Sequence, residues 1–369
     1  MSSTFSQADE SHMRRALRLA ARGEGRVEPN PMVGCVLVRK GRVVGEGWHR
    51  QFGGPHAEIN ALKTAGAKAR GATAYVTLEP CCHHGKTPPC TGALIDAGVA
   101  RVVAGMRDPF AKVRGKGFRQ LISAGIEVSV GLCEEEAFTL TAPYIKRQCI
   151  GQPWVILKWA QSIDGRIATH TGDSKWISGE RSRKRAHELR ARADAIIDGV
   201  GTVLADDPDL TCRHVRPKRT AVRVVLDRNL RTPQRSRVVR SAKQTPTLIV
   251  VGRSVIRSRK ADAFRNQGVE LMMVRTTRNG FDLSALLKAL GSRGMTNVMV
   301  EGGGQTLGAF WDAGAADEAL VFVAPKLIGG EDAVPALKGL GLSTLQDRSA
   351  PRSARITRSG DDQVYELLF

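Results

Sequence analysis

A chain of 369 residues, 42% hydrophobic and 25% charged, is long enough for two ordinary domains with separate cores and excludes a disordered or low-complexity protein. No apolar run reaches bilayer length, and Met1 to Glu10 is polar with Arg14, Arg15 and Arg18 close behind. A transmembrane span and a secretory leader are therefore not expected. Lys and Arg number 56 against 36 Asp and Glu, a net charge of +20, which raises polyanion partners, while aromatic residues at 5% are few for base stacking. Small phosphorylated ligands are thus expected rather than nucleic acid or membrane. The seven cysteines point to metal or catalysis in a reduced, cytoplasmic setting.

The pattern predicts a helix over 13–22, then a hairpin from two β-rich runs, 33–38 and 43–47, around Lys40-Gly41. A helix follows over 56–65 through Ile59, Leu62 and Ala65, then a strand over 74–78. Cys90 opens another helix that stops at Gly98, with a strand at 101–105, a helix at 117–124 and a strand at 126–130. The alternation predicts a layered α/β domain over 1–150, parallel after its first hairpin. The segment 148–153 breaks the pattern and a new strand starts at Trp154. Over 151–369 strands are expected at 194–198, 221–227, 246–251, 269–274, 296–300 and 319–324. Helices are expected at 180–192, 257–266, 282–292 and 305–313, and a closing hairpin at 354–369.

His56-Ala57-Glu58 sits at a helix start, Leu78-Glu79-Pro80-Cys81 at a strand end, and Pro88-Pro89-Cys90 at another helix start. One imidazole and two thiolates make a three-ligand zinc site with a fourth position open to water, the arrangement of catalytic rather than structural zinc. Glu58, two residues from His56, suits a general acid/base that is not itself a ligand. Cys82 is an alternative to Cys81, but adjacent side chains leaving a strand point apart. His83 and His84 are rival ligands, read here as groups lining the pocket. Alone, a His-Ala-Glu is ordinary helix surface and a cysteine ordinary core; the order and setting of all three elements carry the metal reading. Nucleic-acid base deaminases show Pro-Cys-x-x-Cys. Here eight residues separate Cys81 from Cys90 and include His83, His84 and Lys86, groups suited to a free phosphorylated substrate.

The residues also resemble a family. Pro29-Asn30-Pro31-Met32-Val33-Gly34, His49, Pro55-His56-Ala57-Glu58 and the run Gly71 to Cys90 are similar to the bifunctional riboflavin-biosynthesis deaminase/reductase. So are Lys158 to Arg166, Trp176-Ile177, Gly201 to Pro208 and Val300-Glu301-Gly302-Gly303-Gly304, so the resemblance covers nearly the whole chain. It implies a cytidine-deaminase-like three-layer domain followed by a dihydrofolate-reductase-like domain. It also implies one zinc ion per chain, NADPH in the second domain, and two successive reactions. These are deamination of a diaminopyrimidinone bearing a ribosyl 5-phosphate, then reduction of the ribosyl chain to ribityl. By the same resemblance Asn30, His49, His83 and Lys86 contact the first substrate. Ala160, Trp176, Thr202, Asp206 and the run Gly303, Gly304, Gln305, Thr306, Leu307, Gly308, Ala309 contact NADPH. Ser174, Arg190, Leu210, Arg213 and Glu301 contact the second substrate. Cys82 departs from the family, which more often has Ser there, and adds a thiol open to oxidation beside the metal.

Physical reasoning supports part of that assignment. Glycines between a strand and the helix from Gln305 let phosphates approach backbone N–H groups. No acidic residue follows in a βαβ setting about 20 positions on, so a Rossmann fingerprint is excluded. Arg190 and Arg213 are suitable bidentate phosphate partners. Eleven Lys or Arg and one acid, Asp227, lie between Arg213 and Lys243. Arg228 is a candidate for the NADPH 2′-phosphate, and most of that stretch reads as solvated loop. A homodimer through the second domain is expected, because the closing hairpin leaves a sheet edge to cover. The competing expectation is a nucleic-acid base deaminase with a basic accessory domain.

Overall fold

The computed structural model describes residues 5–83, 88–278, 280–345 and 350–369. The chain divides into two compact units, Met1–Gly151 and Gln152–Phe369. Among the described residues no helix is long and apolar enough to cross a membrane.

The first unit runs α1 (Gln7–Ala20), β1 (Gly34–Arg39), β2 (Arg42–Trp48), α2 (Ala57–Ala65), β3 (Thr73–Val76), α3 (Cys90–Asp96), β4 (Arg101–Ala104), α4 (Lys116–Ser123), β5 (Glu127–Val130) and α5 (Glu134–Ile150). Its sheet has the order β2-β1-β3-β4-β5, with β1 antiparallel to both neighbours and β3, β4 and β5 parallel. One face packs on Ala57, Ala61, Leu94, Phe118 and Leu121 from α2, α3 and α4. The other packs on Met13, Ala16 and Leu19 of α1, with Ala137 and Tyr144 of α5 in an adjoining cluster. This is the expected three-layer domain.

Two helices differ from expectation. α1 begins six residues early because Ser6 and Asp9 form a capping box: the Asp9 N–H donates to Ser6 Oγ at 3.1 Å and the Ser6 N–H to Asp9 Oδ2 at 2.9 Å. α5, unexpected in the sequence, carries three glutamates in its first turn and Pro143 within it, and stops at Gly151, whose φ is 75°. Burial of Ala137, Thr141, Ala142 and Tyr144 holds it.

The second unit runs β6 (Trp154–Ser162), β7 (Arg166–Ala168), α6 (Glu180–Arg190), β8 (Ala195–Gly199), α7 (Val200–Asp206), β9 (Val222–Leu226), α8 (Arg237–Arg240), β10 (Thr247–Val251), α9 (Arg259–Asn266) and β11 (Glu270–Met273). It continues with β12 (Thr276–Thr277), β13 (Gly280–Phe281), α10 (Leu283–Ser292), β14 (Asn297–Val300), α11 (Gly304–Asp312), β15 (Glu318–Ala324), β16 (Val334–Pro335), β17 (Ser353–Ser359) and β18 (Asp362–Leu368). The large sheet has the order β11-β10-β9-β8-β14-β6-β15-β18-β17, parallel from β11 to β15, with the closing hairpin antiparallel. α10 and α11 cover one face through Leu286, Leu290, Leu307 and Phe310. α7, α8 and α9 cover the other through Val203, Val239 and Phe264. α7 and α8 were not expected, because seven and four residues are too short to show a period.

Close backbone approach sets α2 on β2. A Cβ at Gly47 would lie 2.3 Å from Ala57 O and 2.3 Å from Ala61 N, and one at Gly45 would lie 2.4 Å from Ala61 O. The alanine stripe of α2 thus rests on strand glycines, which brings the start of α2 to the sheet. Gly47→Ala should force the helix outward and cost roughly 1–3 kcal/mol in urea unfolding, as overpacking does. Gly92→Ala inside α3, where nothing lies within 4 Å of the added carbon, should leave stability equal or higher.

Candidate active sites

In the first unit three chain segments converge. His56 is the N-cap residue of α2, and Cys90 is the first residue of α3. Cys81 lies five residues beyond the end of β3, on a loop rather than at the strand end. His56 Nδ1 is 3.5 Å from Cys81 Sγ and 3.3 Å from Cys90 Sγ, and the three donor atoms lie within 4.8 Å of one another. Bonds of zinc to nitrogen and sulfur at a tetrahedral angle imply an N···S edge of roughly 3.5 Å, so donor set and spacing fit zinc. The Cys90 N–H donates to Cys81 Sγ at 3.4 Å, and Thr91 donates to Cys81 O from both N and Oγ1. Within the thiol pair, the hydrogen bond from Cys90 holds Cys81 down to about 4, and the same contact with burial pushes Cys90 up.

Glu58, in the first turn of α2, is 3% exposed. Burial and then Cys81 push its carboxyl up from the usual range. A carboxyl poised that way holds and releases a proton readily. Beside it, His49 is 2% exposed, and burial pushes its imidazole down. Nδ1 faces Pro55 O at 3.1 Å, so it carries the proton; Nε2 then accepts from Asn30 Nδ2 at 3.3 Å. The His49 and His56 rings meet edge to face with centroids 5.3 Å apart. Asn30 and His49 therefore share one wall of the metal pocket. His83 is half-buried against Phe110 with Nδ1 buried and unbonded among the described residues. His84 and Lys86 lie outside the described residues. Burial, then Glu79, push the Cys82 thiol up, which lowers its thiolate share and opposes the ready oxidation expected there.

Sequence reasoning missed Glu79. Its buried side chain accepts from the N–H groups of Asp108, Gly115, Gly117 and Phe118 and so pins the loop after β4 and the first turn of α4. An acid between Leu78 and Pro80 at the end of an apolar strand was the available signal.

In the second unit β8 and β14 lie side by side, and both turn through glycine into helices, α7 and α11. A Cβ at Gly199 would lie 2.4 Å from Thr306 Oγ1 and one at Gly302 2.7 Å from Thr306 Cβ, while the Gly303 N–H donates to Thr202 Oγ1 at 3.2 Å. Above these turns opens a cleft of about 1500 Å³. Ala160, Ser174, Trp176, Thr202, Asp206, Glu301, Gly303, Gly304, Gln305, Thr306 and Ala309 all line it. Leu307 instead enters the core, and Gly308 packs under the Lys338 backbone. Arg190 reaches the wall by pairing with Glu301 at 2.7 Å and donates to Thr211 O at 3.1 Å. Arg213 pairs with Asp209 at 2.6 Å, and its N–H donates to His187 Nδ1 at 3.1 Å. Leu210 is buried among Ile196, Val200 and Val203, with φ 49°. Burial, then Arg190 and Arg213, push the His187 imidazole down to about 4, which keeps it a neutral acceptor.

Two charged residues of this cleft region were overlooked as site groups. Lys158 lines the cleft, and burial lowers its ammonium although Glu301 opposes the shift. Asp198, 1% exposed, accepts from the Gly199 N–H at 2.7 Å; burial and then Glu301 push it up to about 7. Each interrupts an apolar strand, Val155-Ile156-Leu157-Lys158 and Ala195-Ile196-Ile197-Asp198, and that interruption was the readable signal.

Comparison with known proteins gives the family. The chain is 42% identical to the riboflavin biosynthesis protein RibD of Aquifex aeolicus, over 97% of this chain and 98% of that protein. This chain belongs to the RibD family of bifunctional deaminase–reductases of riboflavin biosynthesis. The RibD of Escherichia coli is also 42% identical, over 98% and 99% of the two chains. Residues 6–106 match the cytidine and deoxycytidylate deaminase zinc-binding region, and residues 153–363 match the RibD C-terminal domain. RibD of Acinetobacter baumannii superposes with a TM-score of 0.85 at 35% identity, over 98% and 99% of the two chains. A Thermotoga maritima enzyme superposes at 0.82 with 37% identity, over 98% of each chain; it is described as a diaminohydroxyphosphoribosylaminopyrimidine deaminase/5-amino-6-(5-phosphoribosylamino)uracil reductase. The fold is thus the expected pair of RibD domains, cytidine-deaminase-like and then dihydrofolate-reductase-like. The second half is a reductase domain, which sets aside the basic accessory domain of a nucleic-acid deaminase.

The Asp198 shift has a signed consequence. Its folded pKa, about 7, lies above the ordinary 3.8, so between those values the unfolded chain releases this proton first. Stability contributed by the protonated form is therefore lost as pH rises from about 4 to about 7. Asp198→Asn should flatten that part of the profile in urea unfolding, and an unchanged slope would remove Asp198 as its source.

Proposed function

We propose that the first unit (1–150) deaminates 2,5-diamino-6-(5-phosphoribosylamino)pyrimidin-4-one. On the same reading the second unit (151–369) reduces the product, 5-amino-6-(5-phosphoribosylamino)uracil, with NADPH. The observation that carries the first step is the convergence of His56 Nδ1, Cys81 Sγ and Cys90 Sγ beside the buried Glu58. These three residues would hold one zinc ion per chain, which supplies Lewis-acid polarisation at neutral pH. Glu58 takes a proton from the attacking water at its carboxylate and returns it to the departing exocyclic amine, so that water adds, ammonia leaves and a carbonyl remains. Asn30 and His49 orient the pyrimidine from the shared wall, and His83 and Lys86 take further substrate contacts by the family resemblance.

In the second unit the NADPH contacts are Ala160, Trp176, Thr202, Asp206 and Gly303 to Ala309. Gly303, where an added Cβ would meet no atom nearer than 3.9 Å, leaves room at the start of α11 for a diphosphate to meet backbone N–H groups. Within the run, Leu307 and Gly308 contribute by packing the helix. Ser174, Arg190, Leu210, Arg213 and Glu301 take the substrate, with the two arginines on its phosphate. Glu301, flanked by Arg190 and Lys158, faces the sugar. NADPH supplies the hydride when bound; the chain's part is to bind, orient and exclude water. The setting is the cytoplasm, and the oligomer is a dimer through the second unit, where β17 is an outer strand with Ile356 60% exposed.

Glu58→Gln should abolish deamination by a factor on the order of 10² or more while zinc content and reductase activity persist. Full deaminase activity in that variant would end the proposed role. Cys90→Ser should lose zinc measured by metal analysis of the purified protein, and retention at ordinary affinity would displace Cys90 from the ligand set. Reduction should fall sharply when the uracil substrate lacks its phosphate; equal rates would contradict the assignment of Arg190 and Arg213.

A further inference from the structure

Arg190 ends α6, whereas Arg213 lies on the segment from Asp207 to His214. That segment holds three non-glycine residues in the left-handed region, Asp207 at φ 41°, Leu210 at 49° and His214 at 64°. Such backbone persists only where its surroundings hold it. The last turn of α6 supplies the hold. His187 Nδ1 accepts from the Arg213 N–H at 3.1 Å, and the His187 carbonyl accepts from Cys212 Sγ at 3.4 Å. One turn on, Arg190 Nη1 donates to Thr211 O at 3.1 Å while its other nitrogen pairs with Glu301 at 2.7 Å. From the far side Arg223 donates to Asp209 O at 3.2 Å, which fixes the start of the segment and leaves its end to α6. The Arg213 backbone is thus fastened by a side chain, the imidazole of His187.

Only a neutral ring can do this. Nδ1 must offer its lone pair to the Arg213 N–H, which puts the ring proton on Nε2. The residue is 8% exposed. The charges around it are Arg190, Arg213 and Glu301, and the His214 ring stands edge to face at 5.3 Å. Burial and then the two arginines hold the imidazole neutral down to about 4, so the acceptor persists at neutral pH. A protonated ring would turn a donor toward the Arg213 N–H and add a third cation beside two guanidinium groups. We infer that His187 is a positioning residue of the reductase site: it fastens the Arg213 backbone to the helical turn that carries Arg190, so that both guanidinium groups close on the substrate phosphate together. This rests on the assignment of those two arginines to the phosphate under the proposed function. His187 acts through Arg213 and sets how strongly the site demands a phosphorylated substrate.

Two substitutions separate the acceptor from the bulk. His187→Asn keeps an acceptor oxygen near the Nδ1 position, and His187→Leu removes it. With the phosphorylated uracil substrate, His187→Leu should raise KM on the order of 10-fold, as loss of one hydrogen bond allows, with kcat within a few-fold of native. His187→Asn should recover most of that loss. NADPH affinity by calorimetric titration, and kcat/KM for the dephosphorylated substrate, should match the native chain in both variants. A native KM in His187→Leu overturns the inference, as does an equal loss with and without the phosphate; either leaves the reductase reading intact. Imidazole 15N shifts of the native chain give a check that needs no variant. His187 should stay in the neutral Nε2–H form down to about pH 5, and a ring that titrates near the ordinary value of about 6.5 overturns the inference. A native chain that reduces both substrates equally well removes the phosphate assignment and the role of His187 with it. One that reduces neither removes the reductase reading too.

Discussion

Strands that run parallel in one sheet cannot be joined by tight turns; a helix must cross a face between them. Each crossing leaves the carboxyl end of a strand close to the start of a helix, and functional groups collect there. Both sites obey that constraint. In the first unit the loop beyond β3 delivers Cys81 while α2 and α3 begin with His56 and Cys90. In the second, β8 and β14 turn through Gly199 and Gly302 into α7 and α11 beneath the large cleft. The first unit closes its sheet with an antiparallel hairpin at one edge, and the second with an antiparallel hairpin at one edge of a larger sheet. The parallel strands between carry the chemistry.

Close contact makes the geometry precise enough to be useful. Glycine at 45 and 47 lets α2 rest on the sheet, which holds His56 and Glu58 in register with the cysteines. Glu79 then fixes the loop after β4 and the first turn of α4 through four backbone N–H groups. The second unit uses charge differently. Lys158, Arg190, Glu301 and Asp198 influence one another in a poorly solvated region, where burial shifts Lys158 down and Asp198 up. Burial of that many charges is costly for a fold, and it is retained where a polar substrate is to be gripped.

The basic balance of the chain has a local reading as well. Arg190 and Arg213 are already matched with Glu301 and Asp209. Arg223, only 1% exposed, donates to Asp209 O, Val238 O, Thr245 O, Ser241 and Thr247 and ties the arginine-rich segment together from inside. That stretch is therefore not merely solvated loop: one arginine is a buried clamp, and Arg228 and Arg231 line the cleft.

By itself the sequence determined the two-part α/β organisation and most strands, and it singled out His56, Cys81, Cys90 and Glu58, which the fold brings together. Period-2 and period-3.6 patterns are local, and His-Ala-Glu with two Pro-Cys junctions is a local chemical signature. Resemblance extended this to the reductase half. The start of α1 lay in the local Ser6–Asp9 capping box. Tertiary structure alone decided the existence of α5 despite Pro143 and the short helices α7 and α8, because burial rather than propensity holds them. It also decided which way side chains face. Leu307 turns into the core although its neighbours line the cleft, and Glu79 is a buried acid whose partners come from a distant segment. Direction and partnership depend on residues far apart in the chain, and no pattern along it records them.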